Sequence, residues 1–139
     1  MTPPQVVRVV VEVPKGGFVK RDAQGRVDYV SPLPSPFNYG AIPDLPSEDG
    51  EGLDALVLGG RRPRGWSGDV PVRARVRFLD CDQVDDKIVC SEHPVSRLER
   101  WAVVGFFIAY GWGKRLKRPS MRSGYGGWEW LDRNQEPEP

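Results

Sequence analysis

The alternation of apolar and polar residues over positions 70–78 constrains this chain most. Val70, Val72, Ala74, Val76 and Phe78 alternate with Pro71, Arg73, Arg75 and Arg77, the period-two pattern of a strand with one face buried. Val6 to Val13 adds a β-branched run able to pack on both faces. Further strands are expected at about 26–30, at Ala55 to Leu58, and at Lys87 to Cys90, which returns from an acidic turn at 82–86. One helix is expected from about Pro94 to Tyr110, with Pro94 in its first turn. Its apolar positions Leu98, Trp101, Ala102, Gly105, Phe106 and Ala109 recur at helical spacing. Five or so short strands with one main C-terminal helix make an α+β, mostly β fold: a small OB-like Greek-key β-barrel.

With 139 residues the chain can bury a core without covalent staples and has room for one domain. That domain is expected over residues 1–133, followed by a solvated, disordered tail at 134–139 (Asn-Gln-Glu-Pro-Glu-Pro). No internal repeat is visible. A formal charge of +1 gives no global field for nucleic acid or membrane. Locally the charges segregate, with acids at 44–54 and 80–86 and bases at 61–77 and 114–122. Cys81 and Cys90 are too few for a disulfide framework. No secretory leader or long apolar span is legible, so a cytoplasmic, membrane-free protein is expected.

The chemistry concentrates between Asn38 and Leu58. Asp44, Glu48, Asp49, Glu51 and Asp54 fall there without a Lys or Arg among them. Crowded carboxylates raise one another's pKa unless a cation intervenes, and a hard divalent ion satisfies several oxygens at once. The alternative is a solvated acidic turn. Asp49 and Glu51, two apart, share a face if extended, and Gly50 and Gly52 let the backbone bring Asp54 round to the same point. The run is too short for an EF-hand loop.

Asn38-Tyr39-Gly40, followed by Asp49-Gly50-Glu51-Gly52-Leu53-Asp54-Ala55-Leu56-Val57, resembles the signature of the soluble, family I inorganic pyrophosphatases. Two flanking blocks agree in order: Glu12-Val13-Pro14-Lys15-Gly16 with Lys20 and Asp22, and Asp82-Gln83-Val84-Asp85-Asp86-Lys87. The resemblance extends over about residues 6–112. It implies the same barrel and Mg²⁺-dependent hydrolysis of pyrophosphate to two phosphates, with Mn²⁺ as an alternative cofactor and a homo-oligomeric assembly.

By position, the resemblance implies metal ligands at Asp49, Asp54, Asp82 and Asp85, with Glu12 and Asp22 as outer carboxylates. Asp80 replaces Asp82 if the gap is set differently. Lys20, Tyr39, Lys87 and Tyr110 match groups that contact pyrophosphate. Glu51 stands where the family carries an Asp that orients or deprotonates the attacking water. Glu51 for Asp adds a methylene, and Asp22 for Glu removes one. A phosphate-gripping arginine corresponds to Tyr29, a tyrosine before proline to Ser35, and the lysine after the late tyrosine to Gly111. The clamp on phosphate is thus thinned by two cations.

These departures keep a catalytically degenerate phosphate-compound binder as an alternative reading. The basic run Lys114, Arg115, Lys117, Arg118 and Arg122, interleaved with Trp112, Tyr125, Trp128 and Trp130, is a candidate for rebuilding the clamp. It also supports a third and weaker reading, an OB-like nucleic-acid module, against which stands a solvated segment whose aromatics pack on the barrel. No nucleic-acid partner is expected. Lone His93 reads as a loop residue at the helix start, and no zinc spacing or Ser-His-Asp set exists.

Overall fold

The computed structural model describes residues 4–17, 19–21, 26–30, 34–46 and 52–132, with backbone alone at 19–21, 27–30 and 46. The expected tail at 134–139 lies outside the described residues. The elements are β1 (Val6–Val13), β2 (Val19–Arg21), β3 (Val27–Val30), β4 (Asn38–Pro46), β5 (Gly52–Val57), β6 (Ser67–Asp80), β7 (Gln83–Val84), β8 (Lys87–Cys90), α1 (Arg97–Lys117) and β9 (Gly124–Trp130).

Five strands close into a barrel. β1 pairs antiparallel with β4, β4 antiparallel with β5, β5 parallel with β8, and β8 antiparallel with β6; the start of β6 then returns to β1. Its 14 residues let β6 serve several partners, since its second half also pairs with β9. β2 and β3 form a separate hairpin.

Each of the five barrel strands contributes to an interior layer, among them Val7, Val9, Ile42, Ala55, Val57, Val70, Val72, Ile88 and Cys90. A second layer lies beneath α1, where Phe37, Leu56, Leu58, Ala74, Val76, Phe78 and Val89 meet Val103 and Phe107. The strand over 70–78 feeds both layers. Its register against β8 shifts between Val72, opposite Cys90, and Ala74, opposite Val89. This irregularity hands one period-two stripe from the interior to the helix-facing side. Cys90, deep in the interior, has its thiol pushed up to about 12 by burial and stays protonated.

The helix departs from expectation in both limits and face. It begins at Arg97, not Pro94, because Ser96 and Glu99 form a capping box, each side chain bonded to the other residue's backbone N–H. It runs on through Gly111 and Gly113 to Lys117, with Lys114, Arg115 and Lys117 at its negative end. Val103, Phe107 and Gly111 are buried, with Phe106 and Tyr110 packed at the margin. Of the expected stripe only Phe106 meets the core; Leu98, Trp101, Ala102, Gly105 and Ala109 face outward. The C-terminal aromatics are also tied down. Tyr125, Trp128 and Trp130 pack against the helix-facing core, and Arg100 lies 5.6 Å and 5.7 Å over the two indoles.

Candidate active site

Three strands bring the chemistry together on the helix-facing side. Asp54 precedes Leu56 by two residues on β5, and Lys87 precedes Val89 by two on β8; Leu56 and Val89 both belong to the core beneath α1. Side chains two apart share a face, so both polar groups are delivered to the edge of that core. Tyr39, paired with Leu56 across β4 and β5, joins them.

The Lys87 side chain is 4% exposed. Its Nζ lies 2.6 Å from Asp54 Oδ2 and 2.8 Å from Asp85 Oδ2. The ammonium is 5.7 Å from the Tyr39 ring centre and 5.9 Å from that of Phe78. Burial acts to lower the Lys87 pKa, but the charges around it, those of Asp54 and Asp85 included, prevail and hold it well above the ordinary value. Burial pushes Asp54 up; the Lys87 ammonium and hydrogen bonds from Lys87 and Tyr39 outweigh this and hold Asp54 below its ordinary value. Asp85 is raised, because burial and the neighbouring Asp54 outweigh Lys87. Burial likewise raises the Tyr39 phenol, which donates to Asp54 and stays protonated. The environment thus moves two adjacent carboxylates in opposite directions, Asp54 down and Asp85 up.

Of the other expected site residues, Tyr110 reaches this group through Phe78, with ring centres 5.5 Å apart. Glu12 lies within the irregularity of β1 where Val11 faces Gly40 and Val13 faces Tyr39, a bulge that can re-aim a side chain. Asp82 is not brought to the cluster. It occupies a two-residue turn with Cys81, at φ 69° and 50° respectively, and its Oδ1 accepts from the Arg122 N–H at 2.8 Å. Asp80 instead follows Phe78 by two residues and lies 3.3 Å from Lys114 Nζ. Lys20 lies on β2 opposite Tyr29, with only its backbone described. Asp22, Asp49 and Glu51 lie outside the described residues.

The motif reading missed what Asn38 does. This buried side chain donates from Nδ2 to Val57 O (3.1 Å) and Gly60 O (2.9 Å). Its Oδ1 accepts from Lys15 N (3.0 Å) and Arg62 N (2.8 Å). Gly40 has an equally local cause: a Cβ there would strike the Val10 carbonyl on β1. Asn-Tyr-Gly thus reads as clasp, site residue and close strand approach.

Asp54 and Asp85 present hard oxygen donors at one point, 22% and 38% exposed. That donor chemistry fits a divalent cation, which needs further oxygens from other residues or water. Among the described residues no group of three or more His, Cys, Asp or Glu converges, so these two carboxylates are a partial ligand set.

Comparisons with known proteins point to one family. The family model described as inorganic pyrophosphatase matches residues 9–104. The inorganic pyrophosphatase of Haemophilus influenzae is 37% identical over 94 residues, covering 61% of this chain and 53% of that protein. The chain spans about half the length of the curated relatives it matches. Among solved structures, an inorganic pyrophosphatase from Neisseria gonorrhoeae superposes with a TM-score of 0.76 at 24% identity, over 94% of this chain and 86% of that one. That of Thermus thermophilus gives 0.74 at 26% identity, over 92% and 84%. With the family model matched across most of the barrel and the start of α1, the chain belongs to the inorganic pyrophosphatase family.

Proposed function

We propose that this protein hydrolyses inorganic pyrophosphate to two phosphates with a metal-activated water. The observation that carries the reading is the Asp54–Lys87–Asp85 array beside Tyr39 in a chain of this family. Mg²⁺ is the proposed cofactor, with Mn²⁺ as the alternative. Asp54 and Asp85 hold it, with Asp49, Glu12 and Asp22 as further carboxylates, and Asp80 takes the place first given to Asp82. When bound, the ion supplies Lewis acidity toward phosphoryl oxygens and a more acidic water.

The chain's own groups set the rest. Lys87 holds both carboxylates in one direction and offsets their charge, while the Tyr39 hydroxyl keeps Asp54 aimed. Lys87, Lys20, Tyr39 and Tyr110 are the proposed contacts to pyrophosphate, and Glu51 the group that takes the proton from water. The catalytic domain is taken as residues 1–133, and two free thiols accord with a cytoplasmic setting. Among the described residues no helix is long and apolar enough to cross a membrane. Because Tyr125, Trp128 and Trp130 pack on the core, they are poorly suited to stacking bases, which disfavours the nucleic-acid reading.

The test is phosphate release from pyrophosphate with and without Mg²⁺, using Asp54→Asn as control. Metal-dependent release that vanishes in the variant is expected. No release from folded wild-type protein would leave the degenerate binder.

A homo-oligomer is part of the proposal. Leu98, Trp101, Ile108, Trp112 and Leu116 are 81%, 68%, 40%, 63% and 85% exposed along α1, with small Ala102, Gly105 and Ala109 between them. A contiguous apolar face of this kind is normally covered by a partner. An antiparallel second copy centred on Gly105 would set Trp101 over Ala109 and Leu98 against Trp112. It would also bring the basic helix end toward Glu92 of the other copy. Wild-type protein is therefore expected to sediment as a dimer or larger, and Trp101→Glu as a smaller species. Monomeric wild-type protein at micromolar concentration would refute the assembly.

A further inference from the structure

We infer that Lys114 is a phosphate-binding residue of this site, supplying from the next helical turn the cation missing at position 111. The inference rests on the pyrophosphatase reading and goes beyond it in naming a group that the family pattern does not place at this position.

Gly111 has a structural cause. It is buried where α1 crosses β9, and a Cβ would come within 2.7 Å of Gly124 Cα, a backbone atom that cannot swing aside. A lysine at 111 is therefore excluded by packing. Lys114 lies one helical turn beyond Tyr110, on the same face. Helical side chains lean toward the N-terminus, and the Lys114 ammonium accordingly lies 5.4 Å from the Tyr110 ring centre.

It also lies 3.3 Å from Asp80 Oδ1. Asp80 shares a strand face with Phe78, whose ring abuts both Tyr110 and the Lys87 ammonium. Lys87, Phe78, Tyr110, Lys114 and Asp80 thus follow one another along a continuous wall. The division of labour is electrostatic. Lys87 is buried against two carboxylates, while Lys114 is 27% exposed at the rim, where an incoming anion meets it first. Pyrophosphate carries several negative charges, and a further cation beside the proposed contacts Lys87 and Lys20 answers charge on its outer phosphate.

The experiment compares wild type, Lys114→Met, Lys114→Arg and Arg97→Met. It measures Mg²⁺-dependent pyrophosphate hydrolysis and, by calorimetry, binding of imidodiphosphate with Mg²⁺. Lys114→Met is expected to raise KM and weaken imidodiphosphate binding about 10–100-fold, the usual effect of losing one charge-assisted contact. Lys114→Arg should recover most of this and Arg97→Met, a charge loss at the far end of α1, should match wild type. Imidodiphosphate binding by Lys114→Met within twofold of wild type overturns the assignment while leaving hydrolysis intact. If wild type binds imidodiphosphate through Lys114 but releases no phosphate, the assignment stands and the hydrolase reading falls. If wild type neither hydrolyses nor binds, both fall.

Discussion

Replacing Lys87 by methionine is expected to abolish useful pyrophosphate turnover while strengthening divalent-metal binding. The ammonium lies 2.6 Å from Asp54 and 2.8 Å from Asp85, so it competes with a metal for the same oxygens even as it aims them. Its loss removes a preorganised positive charge from the place where phosphate charge must be stabilised, an effect typically of ~10²–10³ in kcat. Without metal the variant is also less stable, by about 2–4 kcal/mol; the full range for breaking a buried pair is discounted because water reaches both carboxylates. Mg²⁺ should therefore raise Tm more in the variant than in wild type. Turnover within threefold of wild type would refute the role.

The sign of the pH response gives a second test of the same substitution. In wild type Asp54 is held low, so its stabilising contribution is present above the unfolded value near 3.8 and fades as pH falls through the folded value. Asp85 is raised, so its contribution runs the other way and is lost as pH rises. Without Lys87, burial and mutual repulsion raise both carboxylates, and the opposing contribution of Asp54 disappears. Metal-free Lys87→Met is expected to be more stable at about pH 5 than at about pH 8, by urea unfolding, with a smaller gain or a loss in wild type. Equal pH responses in the two proteins would mean that Lys87 does not govern these carboxylates.

How far the sequence carried depends on the kind of order involved. Period-two alternation located β6 because burial fixes its phase, whereas β1 was legible as a β-branched run and β8, buried at every position, as the return from the acidic turn. The register shift at Val72–Ala74 left no mark, since the residues keep alternating while their partner shifts. Helix α1 carries two apolar stripes. One, through Val103 and Phe107, is buried, and the other, through Leu98 and Trp101, is exposed. Hydrophobicity alone does not rank them, since both recur at helical spacing. The capping pair Ser96 and Glu99 was legible and would have corrected the start. β9 was obscured by Gly124, Gly126 and Gly127, which lower strand propensity although the segment pairs with β6.

The site divides similarly. Tyr39, Asp54, Asp85 and Lys87 were legible because the motif fixes residue type and spacing together, and the structure brings those four together. Asp80 against Asp82 could not be decided from spacing. In the structure the Cys81–Asp82 turn, where both residues adopt positive φ, takes Asp82 to Arg122 while Asp80 stays on β6, which is why Asp80 is the proposed ligand. The phase of β6 offered a clue, since Asp80 continues the Val76–Phe78 stripe and Asp82 lies beyond the strand end.

Replacing Asn38 by leucine is expected to produce the largest loss of stability from a residue outside the charged cluster. Its amide satisfies four backbone groups from three segments: Lys15 N–H beside β1, Val57 O at the end of β5, and Gly60 O and Arg62 N–H in the loop beyond. Leucine fills similar space but leaves these groups, the Val57 carbonyl buried and the other three partly so, without their partner. Each orphaned group costs about 1–3 kcal/mol. Allowing for relaxation and entry of water, the total is at least about 3 kcal/mol, a large part of the 5–15 kcal/mol typical of a domain. Urea unfolding should show a lower midpoint with an unchanged slope. A loss below about 1 kcal/mol would mean that the clasp is dispensable. The effect should also reach the chemistry. Tyr39 is the next residue on β4 and donates to Asp54, so under conditions where the variant remains folded its KM for pyrophosphate should rise. Asn38→Asp separates the two halves of the clasp. It can still accept from Lys15 and Arg62, but it turns a carboxylate toward the Val57 and Gly60 carbonyls. Its stability should therefore fall below wild type and recover in part on acidification, as protonation restores a donor.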